Sequence, residues 1–266
     1  MGMSQAAVAA AVPGRPDELL ERAGQLAVLT EALASVGRGG RGAVVVVCGE
    51  AGVGKTALLR SFRDRVAQAQ AVLWGTCDPL FTPRPYGPLF AIAEGAGGEL
   101  GAALAQGANP HQVALALARE LRSPPPRLLV LEDLHFADEA TLDVFTLLVR
   151  RAEATPALVV GTCRDDALEN AHPLRRVLGE LATAGVRRLK LAPLSPDAVS
   201  QLAAPHGVDG QALYDKTGGN PFFVVEVLAG GSEEIPPTVK DAVLARAMRL
   251  SPIARQLLEA AAVVPQ

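Results

Sequence analysis

The sequence predicts an α/β fold: a parallel sheet of five strands, followed by a smaller part made only of helices. Three observations carry this. Short apolar runs rich in β-branched residues alternate with stretches of helical period. The apolar runs do not alternate in polarity, as befits strands covered on both faces. After Pro193 the strand pattern stops and only short helical stretches follow. The chain has 266 residues, 49% hydrophobic and 20% charged, enough for a core that needs no disulfide or metal staple.

Taken in order, residues 1–12 are Ala-rich without a basic start, and residues 1–18 are expected to be a disordered N-terminus rather than a signal peptide. Residues 19–36 read as a helix with Leu19, Leu26, Leu29 and Leu33 on one face. A breaker loop, GRGGRG, precedes the first buried strand, 43–48 (AVVVVC). A glycine-rich turn then leads into a helix over 55–69, with Leu58, Leu59, Phe62 and Val66 inward. The second strand is expected over 71–76. A loop with four prolines occupies 78–88, and helices follow over 89–106 and 110–122, the last stopped by Pro124–Pro126.

Strand 127–131 ends in Glu132 and Asp133. Asp138 is placed to cap a helix reaching residue 154, and strands are expected over 157–163 and 187–191. Short helices are expected near 196–204, 209–217 and 221–228. A break follows at 230–234, then a further helical pair starting at Thr238 and Pro252.

Residues 49–56, GEAGVGKT, fit G-x-x-x-x-G-K-[ST] between a buried strand and an amphipathic helix. Glycines at 49, 52 and 54 let backbone amides converge on phosphate oxygens, and the helix N-terminus adds partial positive charge. Lys55, one of only four lysines, supplies a cation for the β- and γ-phosphates, and Thr56 a hydroxyl for Mg²⁺. Gly49, Glu50, Ala51, Gly52, Val53, Gly54, Lys55, Thr56 and Ala57 are therefore the expected binding segment for ATP or ADP. Glu132 and Asp133 lie at the carboxyl edge of the expected sheet, where open α/β sheets bind ligands. One acid can hold Mg²⁺ and the other can orient or deprotonate an attacking water.

The P-loop GEAGVGKT, LLVLEDLHFAD (128–138), GTCR (161–164) and TGGNPFFVVEVL (217–228) together resemble the signal-transduction ATPases with numerous domains, among the AAA+-related P-loop ATPases. The nearest resemblance is to the nucleotide-binding module of large ATP-binding regulators of the LuxR type. It implies a P-loop NTPase core over 19–193, a helical lid over 194–232 and the start of a truncated winged-helix domain over 233–266. It gives Glu132 the metal and Asp133 the water, but the first acid is more usually Asp, so the split stays open and both acids remain candidate ligands with Thr56. It makes Arg164 the sensor of the γ-phosphate, although a surface arginine fits the same position. It places Pro221 near the adenine, and Pro221 also suits the first position of a helix. It sets Arg22 beside the base, with Glu21 where glycine is usual and Gln25 where glutamate is usual.

Some residues carry no chemistry in this reading. The four histidines show no metal-ligand spacing, so Mg²⁺ bound with the nucleotide is the only metal expected. Cys48, Cys77 and Cys163 form no CxxC pair and read as buried thiols of a reducing, cytoplasmic compartment. With a net charge of −3, this chain is not expected to bind nucleic acid in a general way. No apolar run of membrane-spanning length occurs.

The expected function is an ATP-binding, slowly hydrolysing regulatory switch. Its protein partner would be a second copy or a signalling protein. DNA would be bound only through a helix-turn-helix domain that these residues lack, as in a fragment. The alternatives are an interaction module that keeps its nucleotide without hydrolysing it, and a P-loop kinase of small molecules. Against the kinase, residues 196–229 contain no arginine for a lid.

Overall fold

A computed structural model describes residues 11–12, 15–67, 71–80, 82, 84–96, 98–123, 127–164, 172–181, 185–230, 240–241, 243–244, 247–248 and 250–263. The prolines at 124–126, most of the break at 230–234 and the helix start at Thr238 lie outside these. Contacts divide the chain into one unit over Met1–Ala192 and another over Pro193–Gln266.

In the first unit, β1 (Ala11–Val12) pairs antiparallel with β2 (Arg15–Leu19). Residues 11–12 and 15–18 of the expected disordered start are thus paired strand, while 1–10 and 13–14 lie outside the described residues. So small a pair is held by backbone bonds and leaves no apolar alternation to read. The main sheet is wholly parallel, as its β-branched runs predict. It contains β3 (Ala43–Cys48), β4 (Val72–Thr76), β5 (Arg127–Glu132), β6 (Ala157–Cys163) and β7 (Arg187–Lys190), in the order β4-β5-β6-β3-β7.

Successive strand residues point to opposite faces, and both faces are covered. Val45, Val47, Leu128, Val130, Leu158 and Val160 pack with α1 (Ala23–Gly39) and α2 (Lys55–Val66). Val44, Val46, Leu129, Leu131 and Val159 face the other core, with α3 (Gly87–Ala96), α4 (Gly98–Ala105), α5 (Pro110–Leu121), α6 (Glu139–Arg150) and α7 (Pro173–Leu181).

Three differences from the sequence reading have local causes. The first long helix starts at Ala23 rather than residue 19, because Glu21 takes a left-handed φ of 57° that breaks the helical path. The helix expected over 89–106 is two, α3 and α4, divided where Gly98 has φ 72°. The helix capped by Asp138 stops at Arg150, and a 3-10 turn covers Ala152–Ala154. Helix α7 has no counterpart in the sequence reading.

The second unit is helical among its described residues. It holds α8 (Pro196–Ala203), capped by Ser195, α9 (Gly210–Thr217), capped by Asp209, α10 (Pro221–Gly230), and a last helix over Pro252–Val263. Gly219 lies so close to the Leu194 carbonyl that a Cβ there would meet it, and its own carbonyl accepts from the Leu194 amide at 2.8 Å.

Candidate functional site

Strand β3 delivers the chain to a loop, 49–54, that curls back before entering α2. Gly52 (φ 81°) and Gly54 (φ 97°) supply left-handed backbone that a side chain would strain. Val53 is fully buried and pins the loop to the core. The ladder of α2 begins with the Leu58 amide donating to the Gly54 carbonyl at 2.9 Å, so the first-turn amides face outward from the helix end. That is the geometry of an anion cradle. Lys55 is 7% exposed, and its ammonium donates to the carbonyls of Gly49 and Glu50, each at 2.8 Å. The loop's own carbonyls thus hold the cation against the cradle.

Glu132 ends β5 and is 5% exposed. Its Oε1 accepts from the Thr56 hydroxyl at 2.6 Å and its Oε2 from the Trp74 indole N–H at 3.0 Å. The fold therefore joins Thr56 and Glu132, residues 76 apart in sequence, by a direct hydrogen bond. Among the described residues no group of three or more His, Cys, Asp or Glu side chains could cage a metal. A hydroxyl and a carboxylate side by side do suit Mg²⁺, which takes one or two protein oxygens and fills its other positions with water and phosphate.

Burial raises the Glu132 carboxyl above its ordinary value. The bonds from Thr56 and Trp74 oppose that, Asp133 adds to it and Arg60 works against it. The folded state thus holds the proton to higher pH than the unfolded chain. The group's stabilising contribution is complete below the ordinary value of 4.5 and is lost as pH rises through the folded value. Glu132→Gln removes this ionisation. The nucleotide-free variant should gain melting temperature relative to wild type as pH rises from below 4.5 toward neutrality. A difference that stays constant across that range would contradict the assignment.

Asp133 occupies a different setting. Its backbone is left-handed (φ 55°), a region Asp tolerates better than most residues, and its amide donates to Thr162 Oγ1 at 2.8 Å. Burial raises its carboxyl, while the charges of Arg164 and Lys55 pull it down. Both expected phosphate-facing cations therefore act on this acid. His135 Nδ1 lies 3.9 Å from Asp133 Oδ1. Arg164 follows β6, half-buried, with its guanidinium carbon 5.5 Å from the centre of the Phe136 ring.

Arg22 is 5% exposed and clamps backbone. Its Nη2 donates to the carbonyls of Ala192 (2.7 Å) and Val53 (3.3 Å), and its Nη1 to that of Glu21 (3.2 Å). Burial lowers its pKa, and Glu21 works the other way. Glu21 occupies, at φ 57°, the left-handed conformation that glycine adopts most readily. Whatever else Arg22 touches, it ties the phosphate loop to the chain leaving β7. Arg22→Ala strands those carbonyls and should cost about 1–3 kcal/mol in urea denaturation. An unchanged midpoint and slope would show that the clamp carries no load.

Pro221, in the second unit, opens α10, where the Asn220 side chain accepts from the Phe222 amide at 3.2 Å. Asp138 caps α6 through the Thr141 amide (2.9 Å) and also accepts from the Tyr86 amide (3.2 Å). Sequence reasoning missed Trp74 and Thr162. Each meets an acid only because β4, β5 and β6 are neighbours, an order that no local pattern displays. The sheet also brings Cys48 and Cys163 together, Sγ to Sγ 3.1 Å, joined by a thiol hydrogen bond rather than a disulfide.

A family model described as an AAA ATPase domain matches residues 18–160, just over half of the chain. Among solved structures, the chain is similar to Cdc6p from Pyrobaculum aerophilum (19% identity, TM-score 0.56, covering 80% of this chain and 62% of that one). It is also similar to the ORC1 protein of Aeropyrum pernix, solved in complex with DNA (19%, 0.57, 87% and 66%). A third is a signal transduction ATPase with numerous domains carrying a tetratricopeptide repeat sensor, from Pyrococcus horikoshii (16%, 0.50, 89% and 34%). At these identities the likeness is one of fold: a P-loop α/β core. The chain spans less than two thirds of each of these proteins. No curated protein matches the sequence. Among the described residues no helix is long and apolar enough to cross a membrane.

Proposed function

The chain belongs to the AAA ATPase domain family, and from that premise we propose that it is the ATP-binding, slowly hydrolysing switch module of a LuxR-type transcriptional regulator, working in the cytoplasm. The observation that supports this most is the bond from Thr56 to Glu132 at 2.6 Å beside the phosphate loop, with Lys55 buried in that loop. In this reading, loop amides and Lys55 bind the phosphates of ATP, while Thr56 and Glu132 hold Mg²⁺. The ion would neutralise charge on the β- and γ-oxygens. Asp133 orients the attacking water and accepts its proton at the carboxylate. Arg164 offsets charge on the transferring phosphoryl group. Pro221 belongs to a lid over 194–232, and residues 233–266 begin a winged-helix unit. The signalling partner is a second copy or another protein, and DNA is contacted through a helix-turn-helix region outside these residues.

A switch needs contacts that differ between the ATP and ADP states. Hydrogen exchange in α8, α9 and α10 should therefore differ between ADP and a non-hydrolysable ATP analogue, and phosphate release should be slow but continue over many turnovers. Identical exchange without phosphate release would make the chain a static nucleotide-bound interaction module. A phosphorylated small-molecule product would make it a kinase.

A further inference from the structure

Glutamate stands at the end of β5 where the resemblance usually has aspartate, and the structure shows what the extra methylene reaches. In the parallel register of β4 and β5, Trp74 pairs with Val130 and Thr76 with Glu132. Trp74 and Glu132 thus lie on the same face as a diagonal pair, two positions apart along the strands, close enough for long side chains to meet. They do meet: the indole N–H donates to Oε2 at 3.0 Å, leaving Oε1 for the Thr56 hydroxyl at 2.6 Å. The indole ring is itself held from α2, with the Arg63 guanidinium carbon 5.6 Å from its centre.

We propose that Trp74 is a positioning residue for Mg²⁺ binding: its indole N–H, on the outermost strand β4, fixes one oxygen of Glu132 and thereby presents the carboxylate to Thr56 and the ion. This rests on the reading of Thr56 and Glu132 as the Mg²⁺-holding pair. Trp74 and the glutamate are then one unit. Aspartate at 132, shorter by about 1.5 Å, loses the indole. Phenylalanine at 74 keeps the ring packing under Arg63 but leaves the carboxylate free to turn.

Trp74 is the only tryptophan in the chain, so indole fluorescence reports the surroundings of this one ring. Two measurements on the full chain test the proposal. ADP affinity is measured with Mg²⁺ and with EDTA for wild type and Trp74→Phe. The strengthening by Mg²⁺ should fall roughly tenfold in the variant, as for a lost bond to a charged group, while affinity in EDTA stays within about twofold. Full retention of the Mg²⁺ effect in Trp74→Phe overturns the proposal. If Trp74→Phe does not fold, the nucleotide-free emission spectra of wild type and Glu132→Asp decide: a shift supports the contact and superimposable spectra overturn it. A wild type that binds no ADP in either condition refutes the proposed function instead, and the spectra still judge the indole–carboxylate contact.

Discussion

Lys55→Ala is expected to abolish the rise in melting temperature that nucleotide produces. In the structure the ammonium is buried and bonded to the carbonyls of Gly49 and Glu50. It is therefore held in the cradle, and its removal takes away the full positive charge that the phosphate loop itself supplies beside its amides. Wild type with nucleotide at a hundred times Kd should gain about 2.7 kcal/mol. At this chain length that is about 5–10 °C in Tm. Differential scanning fluorimetry of both proteins, with and without nucleotide, reads the effect. An equal shift in the variant would remove Lys55 from the site.

Asp133→Asn should leave ATP affinity within a few fold of wild type and slow hydrolysis by roughly 10²–10⁴. The substitution is nearly isosteric, and asparagine tolerates the left-handed backbone found here. The bond to Thr162 is made by the main-chain amide of residue 133 and survives the change. What disappears is the carboxylate on which Arg164 and Lys55 act. Single-turnover phosphate release paired with equilibrium ATP binding separates the two effects. A variant that hydrolyses at the wild-type rate but has lost its Mg²⁺ dependence would exchange the roles of Glu132 and Asp133.

The part of this arrangement that local sequence discloses is the part made by neighbours in the chain. Strand β3, the glycine turn and α2 follow one another without interruption. Their apolar periods, the glycines that need positive φ and the lysine at the helix start all lie in one continuous stretch from Ala43 to Val66. The two acids are visible for the same reason, since they end an apolar strand.

Contacts between strands are hidden. Nothing near Trp74 announces that β4 lies beside β5, and nothing near Thr162 that it faces the amide of Asp133, because strand order is fixed by how the crossover helices pack. Arg22 shows a mixed case. Its position in a family-like element is readable, but its grip on the Val53 and Ala192 carbonyls joins segments up to 170 residues apart. Glu21 also shows how a single left-handed residue can move a helix start that periodicity alone places earlier.

The measurement that bears most directly on the cradle is a calorimetric titration of the wild-type chain with ATP, in Mg²⁺ and again in EDTA. One nucleotide bound per chain, more tightly with the ion present, is expected if loop 49–54, Lys55 and the Thr56–Glu132 pair act together. No heat of binding in either buffer, or an affinity indifferent to Mg²⁺, would contradict it.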